Sequence, residues 1–375
     1  MKNLNLIRFL IIFVSGLMFI GCTTDYEVLQ GPAGAQGLAG ADGTPGADGV
    51  DGSAASCISC HSNTHREPIY ASYDLSKHAA GETVDYAGAR ASCARCHSHE
   101  GYYDYITYGA TNPAGYYGLS EPQLVVDSEG NPVLDEYGLP QYSNEPVPVV
   151  TPISCDTCHG THISFDFEND GNDFALRGLE PVTLITDGTV IDFGNKSNVC
   201  ISCHQPRRTG PTPDENGNFT ITSTHWGPHH GPQATLFQGI QGAEIAGSVP
   251  YPAVASSTHR QDASCTSCHM TPLEPEDSPN HSWIPSDNAC IQCHTTVPTG
   301  VTGLEADMIH LGELLEAAGS VHFEDGAWHP VKGTFPIAVA EASWNFLFIY
   351  EDMSNGVHNP AYAKALIRNS IEAIE

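Results

Sequence analysis

The stretch Cys155-Asp156-Thr157-Cys158-His159 is one of six copies of the pattern Cys-x-x-Cys-His in this sequence. The copies occupy residues 57–61, 93–97, 155–159, 200–204, 265–269 and 290–294, and they use twelve of the 13 cysteines. Two thiols one helical turn apart can add to the two vinyl groups of a porphyrin, and the next residue places an imidazole beneath the iron. The pattern is the attachment signature of haem c. Six copies therefore predict six covalently bound haem c groups.

Each Cys and each His of the six motifs has a predicted role. A zinc site does not require His directly after the second Cys, and a dithiol redox motif does not occur six times in one chain. The predicted thioether positions are Cys57, Cys60, Cys93, Cys96, Cys155, Cys158, Cys200, Cys203, Cys265, Cys268, Cys290 and Cys293. The predicted proximal iron ligands are His61, His97, His159, His204, His269 and His294.

The chain has 19 histidines, many more than the six that the motifs use. This surplus indicates that every iron has a second histidine on its opposite face, which gives a low-potential centre without an open position for substrate. Sequence context selects six candidate distal ligands: His78, His162, His229, His259, His281 and His358. His225 is a weaker candidate, because its neighbour Trp226 suits a packing role equally well. The reserves are His65, His99, His230, His310, His322 and His329.

The N-terminal residues 1–21 have the pattern of an export signal. Lys2 and Arg8 precede an apolar segment at residues 9–20, and Gly21-Cys22 follows it. The pattern resembles a bacterial lipoprotein signal, which implies lipidation of Cys22, although Phe19 stands where such signals usually have Leu. An ordinary signal peptide and an uncleaved anchor are the alternatives. We expect an exported outer-membrane lipoprotein, on the periplasmic face or the cell surface.

Residues 22–56 form the predicted stalk, and within them glycine recurs at every third position from Gly31 to Gly52. A strict Gly-x-y period is the pattern of a collagen triple helix, so the segment predicts a trimer as one alternative. The other alternative is an extended spacer, because only Pro32 and Pro45 fall within the repeat. In both cases the segment holds the following domain away from the lipid.

The formal net charge is -30, from 14 basic and 44 acidic residues. This balance argues against nucleic acid or an anionic membrane surface as a partner. It favours redox partner proteins with basic docking surfaces. No run after residue 20 is long enough to span a bilayer, so the lipid is the expected membrane contact.

The predicted fold is mainly α with much irregular structure, organised around packed haems. Gly and Pro interrupt most of residues 57–300, the predicted hexahaem domain, with hairpin-like acidic segments at residues 124–142 and 214–222. Residues 301–375 form a predicted C-terminal helical region packing on that domain. Helical periodicity is clearest there at residues 304–318, 338–353 and 361–374.

Residues 57 to about 365 resemble the multihaem c-type cytochromes. In that family haems pack closely and replace much of the hydrophobic core. The contexts of the distal candidates resemble those of the pentahaem nitrite reductase and hydroxylamine oxidoreductase superfamily. In particular, residues 342–345 and 357–360 (Ala-Ser-Trp-Asn and Val-His-Asn-Pro) resemble the C-terminal helical region of that group. This resemblance implies that His358 is an iron ligand.

Two main functional hypotheses follow. The first is an electron carrier, relaying electrons between respiratory or extracellular redox partners in anaerobic respiration. The second is an oxidoreductase that acts on a small nitrogen or sulfur compound at one open haem. The carrier is favoured, because all six motifs end in His, whereas the nitrite reductases of the resembled group typically use Lys at the active haem. A third hypothesis is a structural subunit of a filament.

Overall fold

The structure, a computed structural model, describes residues 54–109, 125–134, 141, 149–167, 169–272 and 279–375. The predicted signal at residues 1–21, Cys22 and the Gly-x-y repeat lie outside the described residues. Among the described helices, none is both long enough and apolar enough to cross a membrane.

Most helices before residue 300 are short. They are α1 (Ala54–His61), α2 (Asn63–Tyr73), α3 (Lys77–Ala80), α4 (Ala91–His97), α5 (His99–Tyr108), α6 (Cys155–Cys158), α7 (Asn198–Ile201), α8 (Gln233–Gln238), α9 (Thr258–Asp262), α10 (Cys265–His269) and α11 (Asp287–Ile291), with a π-helical turn at Val84–Gly88. Isolated helices of this length are unstable in water, so contacts with the rest of the molecule must hold them.

Each Cys-x-x-Cys-His motif begins within one of these short helices, namely α1, α4, α6, α7, α10 and α11. Local capping helps to form the turn at the fifth motif. The Ser264 hydroxyl accepts a hydrogen bond from the Ser267 amide at 3.1 Å, and the Ser267 hydroxyl accepts one from the Ser264 amide at 2.7 Å. This reciprocal capping box satisfies two amides that the helix cannot pair. The turn brings both thiols of the motif to one side.

The C-terminal region has three long helices, α12 (Leu304–Ala317), α13 (Ile337–Asp352) and α14 (Pro360–Ile374). These bounds confirm the three helices predicted from periodicity to within about two residues. Asn359 begins α14, because its side chain accepts a hydrogen bond from the Tyr362 amide and Pro360 follows it. Both features are favourable at a helix start, and they fix the chain direction just after His358.

The strands form three antiparallel pairs among the described residues. They are β1 (Val182–Thr183) with β2 (Val190–Ile191), β3 (Asn218–Ile221) with β6 (Gly333–Pro336), and β4 (Val321–Glu324) with β5 (Ala327–Pro330). The hairpin-like segment predicted at residues 214–222 does contain a turn, since the Asp214 amide donates to the Asn218 carbonyl at 2.7 Å, but Asn218–Ile221 pairs with a strand more than one hundred residues later. A single strand and a turn do not reveal a distant partner. The prediction of a mainly α fold with much irregular structure is confirmed.

The main hydrophobic core lies among α12, α13 and α14. Trp344, Leu366 and Ile367 are fully buried there, and more than half of the buried apolar side chains of the described residues lie in residues 304–371. Asn345 fastens this core to the preceding chain, because its side-chain amide exchanges two hydrogen bonds with the backbone of Ala243, at 2.7 and 2.8 Å. Among the described residues before 180, the buried apolar side chains are few: Val84, Ala87, Ala94, Tyr102 and Ala175.

Candidate haem centres

The twelve motif cysteines all lie among the described residues, and none of them forms a disulfide. Cys57, Cys155 and Cys293 are exposed, and the others are partly buried.

Every motif histidine lies beside one of the six candidate distal histidines, and each candidate is used once. The ring centroids are 6.0–6.5 Å apart in all six pairs. The pairs are His61 with His162 (6.1 Å), His97 with His229 (6.1 Å), His159 with His281 (6.5 Å), His204 with His78 (6.3 Å), His269 with His358 (6.2 Å) and His294 with His259 (6.0 Å).

This spacing suits two imidazoles bound to opposite faces of one metal ion. A metal–imidazole bond of about 2.0 Å on each side puts the two nitrogens about 4 Å apart, and the ring radii extend the centroid separation to about 6 Å. The rings of each pair are inclined to one another, by 35° to 73°. Such an arrangement fits an iron held between the two rings.

Hydrogen bonds fix the orientation of eight of these twelve rings through Nδ1. A metal-binding histidine commonly donates its other ring N–H to a carbonyl or carboxylate, which fixes the tautomer and leaves Nε2 for the metal. The acceptors at 2.6–3.2 Å are Thr83 for His97, Phe174 for His159, Asp173 for His162, Gln233 for His204, Val357 for His259, Trp283 for His269, Pro279 for His281 and Asp352 for His358.

Burial keeps several of these imidazoles neutral at neutral pH. It lowers the pKa of His78 to about 4, and the neighbouring His204 adds to this effect. It also lowers the pKa of His229 to about 4, with a further contribution from Arg207. A neutral imidazole is the form that binds a metal. The pKa values of four further ligand candidates are lowered mainly by burial: His97, His204, His269 and His281.

His358 has a different environment, because its ring contacts a buried carboxylate. Burial alone would lower the pKa of His358, but Asp352 outweighs this effect and raises the pKa. The Asp352 side chain is 0% exposed, and its Oδ1 lies 2.6 Å from Nδ1 of His358. Asp173 makes a similar contact with His162, at 2.6 Å, where both side chains are 19% exposed. Two of the six pairs thus have a carboxylate behind the distal ring.

The motifs also contact one another. Cys203 Sγ lies 3.5 Å from the carbonyl oxygen of Arg95, and Cys96 Sγ lies 3.9 Å from the carbonyl oxygen of Ser202. Cys200 and Cys265 are close enough for each to shift the pKa of the other. The fourth motif is therefore in direct contact with the second and the fifth. Haems attached to motifs in such close contact would lie next to one another.

Trp283 lies among three of the centres. Its ring is 4.5 Å from that of His78 and 5.6 Å from that of His281, and its carbonyl oxygen accepts from His269. Its backbone has a φ of +55°, a left-handed conformation that is unfavourable for a bulky residue. The sequence alone assigned no role to Trp283, Asp173 or Asp352. Trp283 was noted only as part of Asn280-His281-Ser282-Trp283, the context that selected His281 as a candidate ligand.

The remaining histidines make other contacts. His99 lies 3.0 Å from the Thr157 hydroxyl, and His310 lies 2.9 Å from a Glu375 carboxylate oxygen. His230 pairs with Glu351, and His322 lies opposite His329 on β4 and β5, with ring centroids 5.6 Å apart. None of these seven, which include His65 and His225, pairs with a motif histidine among the described residues.

Comparison with known proteins places this arrangement in context. No family model matches the chain. A curated relative, the C-type polyheme cytochrome OmcC of Geobacter sulfurreducens, is 24% identical over 359 residues, which cover 77% of this chain and 43% of the relative. The chain is similar to multihaem c-type cytochromes. It spans less than half the length of this relative.

A solved structure also matches. The outer cell wall cytochrome OcwA has 17% sequence identity and a TM-score of 0.45, and the match covers 82% of this chain and 50% of that one. The relative's similarity and the motifs together support covalently bound haem c in this chain.

Proposed function

We propose that this protein is a hexahaem c-type cytochrome whose function is electron transfer. The observation that carries the proposal is the one-to-one pairing of six motif histidines with six others, at 6.0–6.5 Å. In this proposal the two histidines of each pair would hold the iron of one haem. An iron with two histidine ligands has no open position for a substrate.

The chain itself performs three tasks at each centre. The two cysteines attach the porphyrin, the two histidines hold the iron, and the acceptors at Nδ1 orient the imidazoles. Bound haem supplies an iron that alternates between the ferric and ferrous states. The protein determines the position and the potential of each iron. The carboxylates behind His162 and His358 are two means of lowering that potential.

Contacts between motifs support passage of electrons from one centre to the next. The fourth motif touches the second through Cys96 and Cys203, and the fifth through Cys200 and Cys265. Each centre is numbered by its motif, so His78 belongs to the fourth centre and His281 to the third. Trp283 contacts both of these histidines. We propose the fourth centre as a junction where the electron path branches.

The cellular setting belongs to the proposal as well. Lipidation at Cys22 would tether the protein to an outer membrane, with residues 22–56 as a stalk that either trimerises or acts as a spacer. The apolar segment at residues 9–20, followed by Gly21-Cys22, supports export of this chain. The net charge of -30 supports docking to basic surfaces on redox partners during anaerobic respiration.

The function is tested with the full mature chain purified from a host that attaches haem c. Intact mass spectrometry should find six attached haems. The reduced protein should donate electrons rapidly to soluble one-electron acceptors, but it should not turn over nitrite, hydroxylamine or sulfite. Sustained turnover of any of these compounds would favour the oxidoreductase and contradict the carrier.

A further inference from the structure

Two partly buried arginines have side-chain nitrogens that are buried without a hydrogen-bond partner within the described part of the chain. In Arg207 the atom is Nε, and in Arg95 the atoms are Nε and Nη2. Arg95 does stack on Tyr105, with its guanidinium carbon 3.5 Å from the ring centroid, but this contact gives Nε and Nη2 no acceptor. Buried charged donors without partners are costly, so such groups in a folded protein need an explanation.

Three other arginines do not share this feature. Nε of Arg177 donates to the carbonyl oxygens of Asp156 and His159 at 3.2 and 3.0 Å. Arg260 donates to Gln238 and to the Asp192 carbonyl, both at 2.8 Å. Arg368, which is exposed, forms an ion pair with Asp307 at 2.9 Å. The fold therefore pairs these three guanidiniums with its own acceptors, whereas Nε of Arg207 is buried without an acceptor among the described residues.

Arg207 is adjacent to the second centre. Its backbone amide donates to the carbonyl oxygen of Pro228, the residue before His229, at 3.4 Å. Its charge acts on both rings of the second pair, since it contributes, after burial, to the lowered pKa values of His97 and His229. Burial lowers the pKa of Arg207 itself. Among the ion pairs of the described residues, none links Arg207 to a carboxylate.

Several arginines lie near this centre along the chain. The chain has a net charge of -30, yet Arg90, Arg95, Arg207 and Arg208 all lie within or just beside the second and fourth motifs. Haem is a dianion at its edge, because it carries two propionates. A planar guanidinium with free N–H groups matches a carboxylate in geometry and charge. A propionate of the proposed haem is thus a suitable partner for Arg207.

We propose that Arg207 binds a propionate of the haem at the second motif and thereby raises the reduction potential of that haem. The inference rests on the proposed haem content. A positive charge near the iron favours the ferrous form over the ferric form, which has one more positive charge. The effect is opposite to that of Asp173 and Asp352 at the first and fifth centres. The second centre is then reduced more readily than the first and fifth centres.

Potentiometry followed by low-temperature EPR on the full mature protein tests the proposal. Arg207→Gln should lower the potential of one haem, shifting its oxidation equilibrium by about tenfold or more, which is about 59 mV for one electron. Arg207→Lys keeps the charge and should retain most of the potential. Arg368→Gln is the matched control, because it removes an arginine that pairs with Asp307, and its six potentials should equal those of the wild type.

The haem count, measured by intact mass, completes the test. Six haems and unchanged potentials in Arg207→Gln would overturn the proposal. Five haems in Arg207→Gln, with six in Arg207→Lys, would support a charged contact with the cofactor, whereas five in both would indicate a packing role and overturn it. A wild-type protein with fewer than six haems, but with a haem at the second motif, would contradict the proposed function. The effect of Arg207 on that haem would still be measurable.

Discussion

The region of the motifs and the C-terminal region are built in different ways. Residues 57–300 have short helices and small groups of buried apolar side chains, whereas α12, α13 and α14 enclose a dense core that includes Trp344, Phe348 and Leu366. The first region has fewer contacts of its own to offset the loss of chain entropy on folding. We therefore expect the first region to depend on bound cofactor for its stability, whereas the second region depends on hydrophobic burial.

The difference also explains where ligands come from. Most of the paired histidines lie on loops or short helices in the motif region, but His358 lies between α13 and α14, at the edge of the C-terminal core. Asp352 at the end of α13 orients its ring. The centre of His269 and His358 is thus attached to the C-terminal core, and we expect it to be the most rigidly held of the six.

The largest expected effect is that of removing all haem. Protein produced in a host without haem attachment should lose amide protection over most of residues 57–300, while α12, α13 and α14 keep a substantial part of theirs. Hydrogen exchange with mass spectrometry measures both regions in one sample. Equal protection of the motif region with and without haem would contradict the account. The haem-loaded chain provides the reference.

The second prediction concerns the C-terminal core. Leu366→Ala should lower the free energy of unfolding by about 2–5 kcal/mol, because the side chain is 0% exposed and its loss leaves a cavity. The haem count should remain six. Ile309→Ala, at a side chain that is 58% exposed, should change stability by less than about 0.5 kcal/mol. Loss of several haems in Leu366→Ala would show that the two regions do not differ as described.

The third prediction affects one centre alone. His162→Ala removes the ring opposite His61, so one iron should become high-spin and bind CO after reduction, while the other five remain low-spin. Optical and EPR spectra of the reduced and oxidised protein measure this change. His310→Ala is the control, because His310 contacts Glu375 and no motif histidine. Six low-spin irons in His162→Ala would show that His162 is not a ligand.

The smallest expected effect comes from a single carboxylate. Asp352→Asn removes the negative charge behind His358 but retains a hydrogen-bond acceptor, so one haem should gain potential, by about 59 mV for a tenfold change in its oxidation equilibrium. Asp307→Asn, at a partner of Arg368, should leave all six potentials unchanged. Potentiometry distinguishes the variants. A decrease in potential for Asp352→Asn would reverse the assigned sign.

The sequence predicted the components of the centres better than their arrangement. The Cys-x-x-Cys-His spacing is local, so the motif residues could be identified without a fold, and the contexts of the six distal candidates marked the histidines that the structure brings beside the motifs. The partner of each could not be predicted, since His78 meets His204 and His281 meets His159 across more than one hundred residues. Tertiary contacts also decide the roles of Trp283, Asp352 and Arg207. The three C-terminal helices were predictable, because their apolar periodicity is strong.

We propose that all six irons have two histidine ligands. Low-temperature EPR of the oxidised wild-type protein, combined with CO addition to the reduced protein, is the decisive test of this ligation. Low-spin ferric signals should account for six irons, and the ferrous spectrum should not change with CO. A high-spin ferric signal of about one iron per chain, together with a ferrous iron that binds CO, would contradict it and indicate an open, catalytic haem.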